Sequence, residues 1–133
     1  MEEEVILSID PGKIKCGIAI LRLTGEILYH KVVPSGDLIS SIEKLTEDYK
    51  FHCIVLGDRT CCKKVKASLS SFKSTLGIKC VDEHLSTELS RKRYFQDNPP
   101  RGLKRLIPLT LQIPPEPYDD YAAIILAERF LKQ

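Results

Sequence analysis

The stretch ILSIDPGKIKCGIAIL, residues 6–21, decides the fold. Its first apolar run reads as a strand over residues 5–9, buried on both sides, and it stops abruptly at Asp10-Pro11-Gly12. A second run follows within a few residues. Here Ile14, Cys16, Ile18 and Ile20 alternate with Lys15, Gly17, Ala19 and Leu21, a period of two that predicts a second strand. Thr24-Gly25 then offers a turn before a β-rich run over residues 26–33, so the first part of the chain is expected to be a three-stranded antiparallel meander. An aspartate at the end of a buried strand is held at the rim of a sheet, where it can bind a metal ion.

At Ser35-Gly36-Asp37 the period changes. Leu38, Ile42, Leu45 and Tyr49 share a helical face, with Asp37 placed to cap a helix that runs to about Lys50. Residues 53–56 are continuously apolar and stop at Gly57-Asp58, as a central parallel strand would. Val65, Leu69, Phe72 and Leu76 recur at helical spacing, and Gly77 sits where a helix end often places a left-handed residue. A strand over 78–81, ending at Asp82-Glu83, and a helix capped by Ser86 or Thr87 and running toward Gln96 come next. Residues 97–118 hold six prolines and are expected to lack regular structure. The closing helix places Asp119, Ala123, Leu126 and Phe130 on one face.

The order βββ-α-β-α-β-α-loop-α predicts an α/β fold with a mixed five-stranded sheet. The right-handed crossover rule makes strands one, four and five parallel. That puts Asp10, Asp58 and Glu83 at neighbouring carboxyl ends, where open sheets gather ligands. Asp119, in the first turn of the last helix, suits the positive end of its dipole and is pointed at the same edge by the apolar face it shares. Carboxylates brought so close repel unless a cation joins them, and a hard divalent ion, Mg²⁺ or Mn²⁺, resolves the repulsion. Each acid taken singly also fits a plain turn or helix-end role; it is their convergence that points to a site.

Bulk properties limit the partners. At 133 residues, 43% hydrophobic and 29% charged, the chain reads as one globular domain over 1–133. No apolar run approaches the ~20 residues of a membrane span, and the acidic start is unlike a secretory signal, so a cytoplasmic location is expected. Five cysteines without C-x-x-C spacing argue against both a disulfide framework and a zinc ribbon. Net charge is only +2, but Arg91, Lys92, Arg93, Arg101, Lys104 and Arg105 crowd one segment whose sole acid is Asp97. Such density is expected either to meet phosphates or to form a solvated face. Lys13 and Lys15 beside the Pro-Gly break are further candidates for the phosphate backbone, and Lys63, Lys64 and Lys66 could extend the grip.

Three segments, ILSIDPGKIKCGIAI, CVDEHLSTELS and YDDYAAIILAERFL, resemble in order and spacing the motifs of the YqgF-type (RuvX-like) nucleases, relatives of the RuvC Holliday-junction resolvases. The resemblance implies a ribonuclease-H-like fold. It also implies metal-dependent phosphodiester hydrolysis in structured DNA or RNA, with junctions and ribosomal RNA precursors as substrates. By that resemblance Asp10 is the first motif acid, Glu83 the second and Asp119 the third. Two ions would be shared by these acids, with Asp58 and Asp120 as additional candidates. His84 stands where the family motif has arginine. Cleavage of two junction arms would favour a homodimer. Two rivals stand beside this reading. A sugar-kinase-like ATPase opens with a similar strand and glycine turn but needs a second domain, and a module of the same fold without turnover would bind RNA or a protein.

Overall fold

The computed structural model describes residues 4–57, 77–81, 86–108 and 119–132, the side chains of 86–88, 104 and 105 excepted. Strands β1 (Glu4–Asp10), β2 (Lys15–Arg22) and β3 (Ile27–Pro34) form the antiparallel meander. Strand β4 (Lys50–Gly57) pairs parallel to β1, and β5 (Ile78–Val81) pairs parallel to β4. The resulting sheet has the order β3-β2-β1-β4-β5, so β1 is central and the three parallel strands lie side by side.

Helix α1 (Leu38–Asp48) covers one face of the sheet, while α2 (Ser86–Asp97) and α3 (Asp119–Leu131) cover the other. Alternation along the strands divides the core accordingly. Val5, Leu7, Ile9, Cys16, Ile18 and Ile20 pack with Leu38 and Ile42 of α1. Ile6, Ala19, Leu21, Cys53, Val55 and Val81 pack with Tyr94 and Phe95 of α2 and with Tyr121, Ala123, Ile124 and Leu126 of α3. Burial keeps the Cys53 thiol protonated, raising its pKa against the opposing pull of Lys79.

Four details differ from the expectations. Asp37 makes no side-chain cap: a 3-10 turn, Ser35–Asp37, runs directly into α1 and leaves Asp37 with a compact backbone. An N-cap side chain needs an extended backbone to fold back on the helix; here Ser40 Oγ instead donates to the Asp37 carbonyl at 3.0 Å. Gly77 is not left-handed, positive φ among the described glycines being confined to Gly25 and Gly102. Its carbonyl accepts the Ile54 amide at 3.2 Å and so leads straight into the β4–β5 pairing. The proline-rich stretch is not wholly irregular, since a 3-10 helix occupies Gly102–Leu106. Helix α3 is buried continuously from Asp120 to Ala127, because the sheet lies on one side of it and α2 on another. The helix expected over 65–76 lies outside the described residues. Among those described, no helix is long and apolar enough to cross a membrane.

Candidate functional site

Two contacts fix where α3 meets the sheet. Ser8, the one hydroxyl inside β1, is fully buried and donates to the Ala123 carbonyl at 2.6 Å. Gly17 of β2 lies against the start of the helix so closely that a Cβ there would collide with the Asp119 carbonyl. Gly17 is also the cross-strand partner of Asp10. From Ser8 to Asp10 is two strand residues, about 6.6 Å; from Ala123 back to Asp119 is four helical residues, about 6 Å. The helix runs opposite to β1, and its first turn therefore sits level with the carboxyl end of the strand. Alternation turns Asp10 to the same face as Ile6 and Ser8, the face that α3 covers.

The two acids are thus brought to one corner, and their surroundings differ. Asp10 is half-buried at the strand end. The Asp119 side chain is 34% exposed, yet its Oδ2 atom is sealed from solvent and accepts no hydrogen bond among the described residues. Lys15 Nζ stands 3.6 Å from that oxygen, close enough for an ion pair and too far for a hydrogen bond. Asp120 turns elsewhere. Its Oδ2 lies 2.6 Å from His30 Nδ1 on β3, and its Oδ1 accepts the Tyr121 amide at 3.1 Å.

The loop that carries Lys13 and Lys15 is clamped from β3's end. Ser35 Oγ donates to the Gly12 carbonyl at 2.8 Å, and the Ser35 amide donates to the Ile14 carbonyl at 2.8 Å. Cys16 Sγ adds a contact to Ser35 Oγ at 3.4 Å. A Cβ on Gly12 would strike the Lys15 carbonyl, so the turn is as tight as only glycine permits. Lys13, Ile14 and Lys15 project from this fixed loop into solvent.

The basic segment divides into parts with different surroundings. Arg93 reaches across to α3, where its Nη1 donates to both Glu128 oxygens at 2.8 and 3.1 Å. Arg91 is half-buried with its Nε enclosed, whereas Lys92 and Arg101 are exposed. Lys104 and Arg105 lie on the 3-10 helix, beside the exposed Leu103 and Leu106. Asp58, Glu83, His84, Lys63, Lys64 and Lys66 fall outside the described residues. Among the described residues, no cluster of three or more His, Cys, Asp or Glu side chains forms a complete cation cage.

Residue-type patterns alone passed over Ser8, Gly17, His30 and Ser35. Two of these left a signal: a glycine within an apolar strand marks a close backbone approach, and a lone hydroxyl in a buried strand needs an acceptor. His30 left none.

No protein-family model and no curated protein matches the sequence. Solved structures do match. The chain superposes on Thermus thermophilus RuvC in complex with a Holliday junction substrate with a TM-score of 0.59 at 14% identity, covering 94% of this chain and 90% of that one. It superposes on another T. thermophilus RuvC structure with a TM-score of 0.57 at 12% identity, covering 92% and 90%. The mixed five-stranded sheet flanked by helices is the ribonuclease-H-like fold of RuvC.

Proposed function

We propose that this chain is a divalent-metal-dependent nuclease of the RuvX-like type, a single domain over 1–133 that hydrolyses phosphodiester bonds in structured nucleic acid. The observation that supports the reading is the double registration of α3 on the sheet, by Ser8 on Ala123 and by Gly17 against the Asp119 backbone, which brings the start of α3 to the strand end that carries Asp10. Asp119 Oδ2 is enclosed and, among the described residues, accepts no hydrogen bond and is met only by the Lys15 ammonium at 3.6 Å; an oxygen so placed suits a hard cation, because divalent ions take oxygen ligands.

Asp10, Asp119 and Glu83 would hold Mg²⁺ or Mn²⁺ as two ions, with Asp58 as a further candidate. Asp120 is the weaker candidate, since His30 and the Tyr121 amide already engage both of its oxygens. Bound there, the metal supplies Lewis acidity toward the phosphoryl group and a water acidic enough to act as nucleophile at neutral pH. The remaining work belongs to the chain. Lys13 and Lys15, presented by the Ser35-clamped loop, hold the phosphate backbone close to the acids. Lys92, Arg101, Lys104 and Arg105 grip the flanking nucleic acid, while Arg93, committed to Glu128, braces α2 against α3.

The RuvC neighbour was solved on a Holliday junction, so four-way DNA junctions are the first substrates to test and precursor ribosomal RNA the next. The test is nucleotide-resolution mapping of labelled junctions, single strands and structured RNAs with Mg²⁺ or Mn²⁺. Asp10→Asn is expected to abolish cleavage while leaving the fold and nucleic-acid binding nearly intact. Binding without nicking by the wild-type protein would instead identify a module of this fold that lacks turnover.

A further inference from the structure

We infer that His30 is a positioning residue that sets the orientation of Asp119; the inference rests on the metal-site reading above. A carboxylate can only accept, so the 2.6 Å contact is His30 Nδ1–H donating to Asp120 Oδ2. The acceptor side chain is only 12% exposed, and the imidazole, 36% exposed, stands at 5.2 Å from the Tyr121 ring. A hydrogen bond to an ionised group in such a setting is among the stronger kinds.

Its position in the fold gives it leverage. Asp119 and Asp120 open α3, and the first turn of a helix lacks the internal hydrogen bonds that hold later turns. Successive helical side chains diverge by about 100°. Pinning Asp120 to β3 at the sheet edge therefore fixes the rotation of the turn, and with it the direction in which Asp119 leaves the helix to meet Lys15 Nζ at 3.6 Å. The Gly17 contact sets how far the helix stands from the sheet; the His30 contact sets how its first turn is rotated. Register on Ala123 alone, four residues further along, would leave that rotation free to fray.

A merely structural role would show in thermal stability, and a positioning role shows in metal affinity. The experiment measures Mn²⁺ binding to the full chain by water-proton relaxation, with thermal melts in parallel. The variants are His30→Leu, His30→Asn and Asp119→Asn. Leucine fills space against Tyr121 but cannot donate, whereas the asparagine amide nitrogen can take the place of Nδ1. Loss of a residue that orients a metal ligand typically weakens binding 10- to 100-fold, so His30→Leu is expected to lose about tenfold or more, with His30→Asn restored to near wild type. Should His30→Leu fail to fold, His30→Ala replaces it with the same expectation. The inference is overturned if the non-donating variant binds Mn²⁺ like wild type, or if asparagine gives no rescue. Wild-type protein that takes up no Mn²⁺, or an Asp119→Asn variant that binds it equally well, overturns the metal site itself, and the role of His30 with it.

Discussion

The two faces of β1 carry different chemistry on the same seven residues. Toward α1 stand Val5, Leu7 and Ile9, all buried and all apolar; toward α3 stand Ile6, Ser8 and Asp10. The second series grows more polar along the strand: apolar packing at Ile6, the Ala123 carbonyl at Ser8, and at Asp10 the strand end whose cross-strand partner, Gly17, lies against the start of α3. On β2 the same division sets Cys16, Ile18 and Ile20 against Gly17, Ala19 and Leu21. One face is a store of hydrophobic stability. The other trades bulk for registration, using a glycine and a hydroxyl where larger side chains would bury more surface.

If this division is real, substitutions on the two faces should fail differently. Leu7→Ala, on the α1 face, is expected to cost about 2–5 kcal/mol in chemical denaturation while leaving the cleavage rate of the folded protein unchanged. Loss of activity in the folded fraction would break the comparison. Gly17→Ala, on the α3 face, should cost a smaller amount, about 1–3 kcal/mol, because the helix start must shift to admit a methyl group. Its effect on cleavage should nevertheless be far larger, since a displacement of about 1 Å can cost 100-fold in rate.

The smallest effect sharpens the picture at the back of the site. Tyr121 has its pKa pushed up to about 12, by burial first and then by the Asp97 carboxylate, while Asn98 opposes the shift. Its neutral form is thus favoured in the folded protein relative to the unfolded chain, which ionises near 10. The stability this confers is complete below the unfolded value and lost as pH rises from 10 to about 12. Melting curves across that range should decline less steeply for Tyr121→Phe than for wild type. Parallel curves would show that the α2–α3 contact does not hold the phenol neutral.

Most of the sheet was legible because strand periodicity and turn chemistry agree with the tertiary arrangement. The meander over residues 5–33, the parallel run at 53–56 and the strand at 78–81 each carry a period or an apolar block bounded by glycine, and crossover handedness then orders them. What was hidden is what depends on contacts distant in sequence. Asp37 resembles a cap until the preceding residues prove to be already helical. Nothing in the sequence pairs Arg93 with Glu128, its partner across the α2–α3 interface. His30 and Asp120, ninety residues apart, become partners only through the packing of α3 on β3. The Asp10–Asp119 corner falls between these cases: both residues were picked out by their places at a strand end and a helix start, but Gly17 and Ser8, which bring them together, were not.

Diffraction from crystals soaked in Mn²⁺, recorded with the anomalous signal of manganese, tests the central claim most directly. An anomalous peak bounded by carboxylate oxygens of Asp10 and Asp119, with Glu83 completing the shell, is expected, and its loss in Asp10→Asn. A saturated crystal with no peak at that corner, or manganese bound only elsewhere on the molecule, would contradict it.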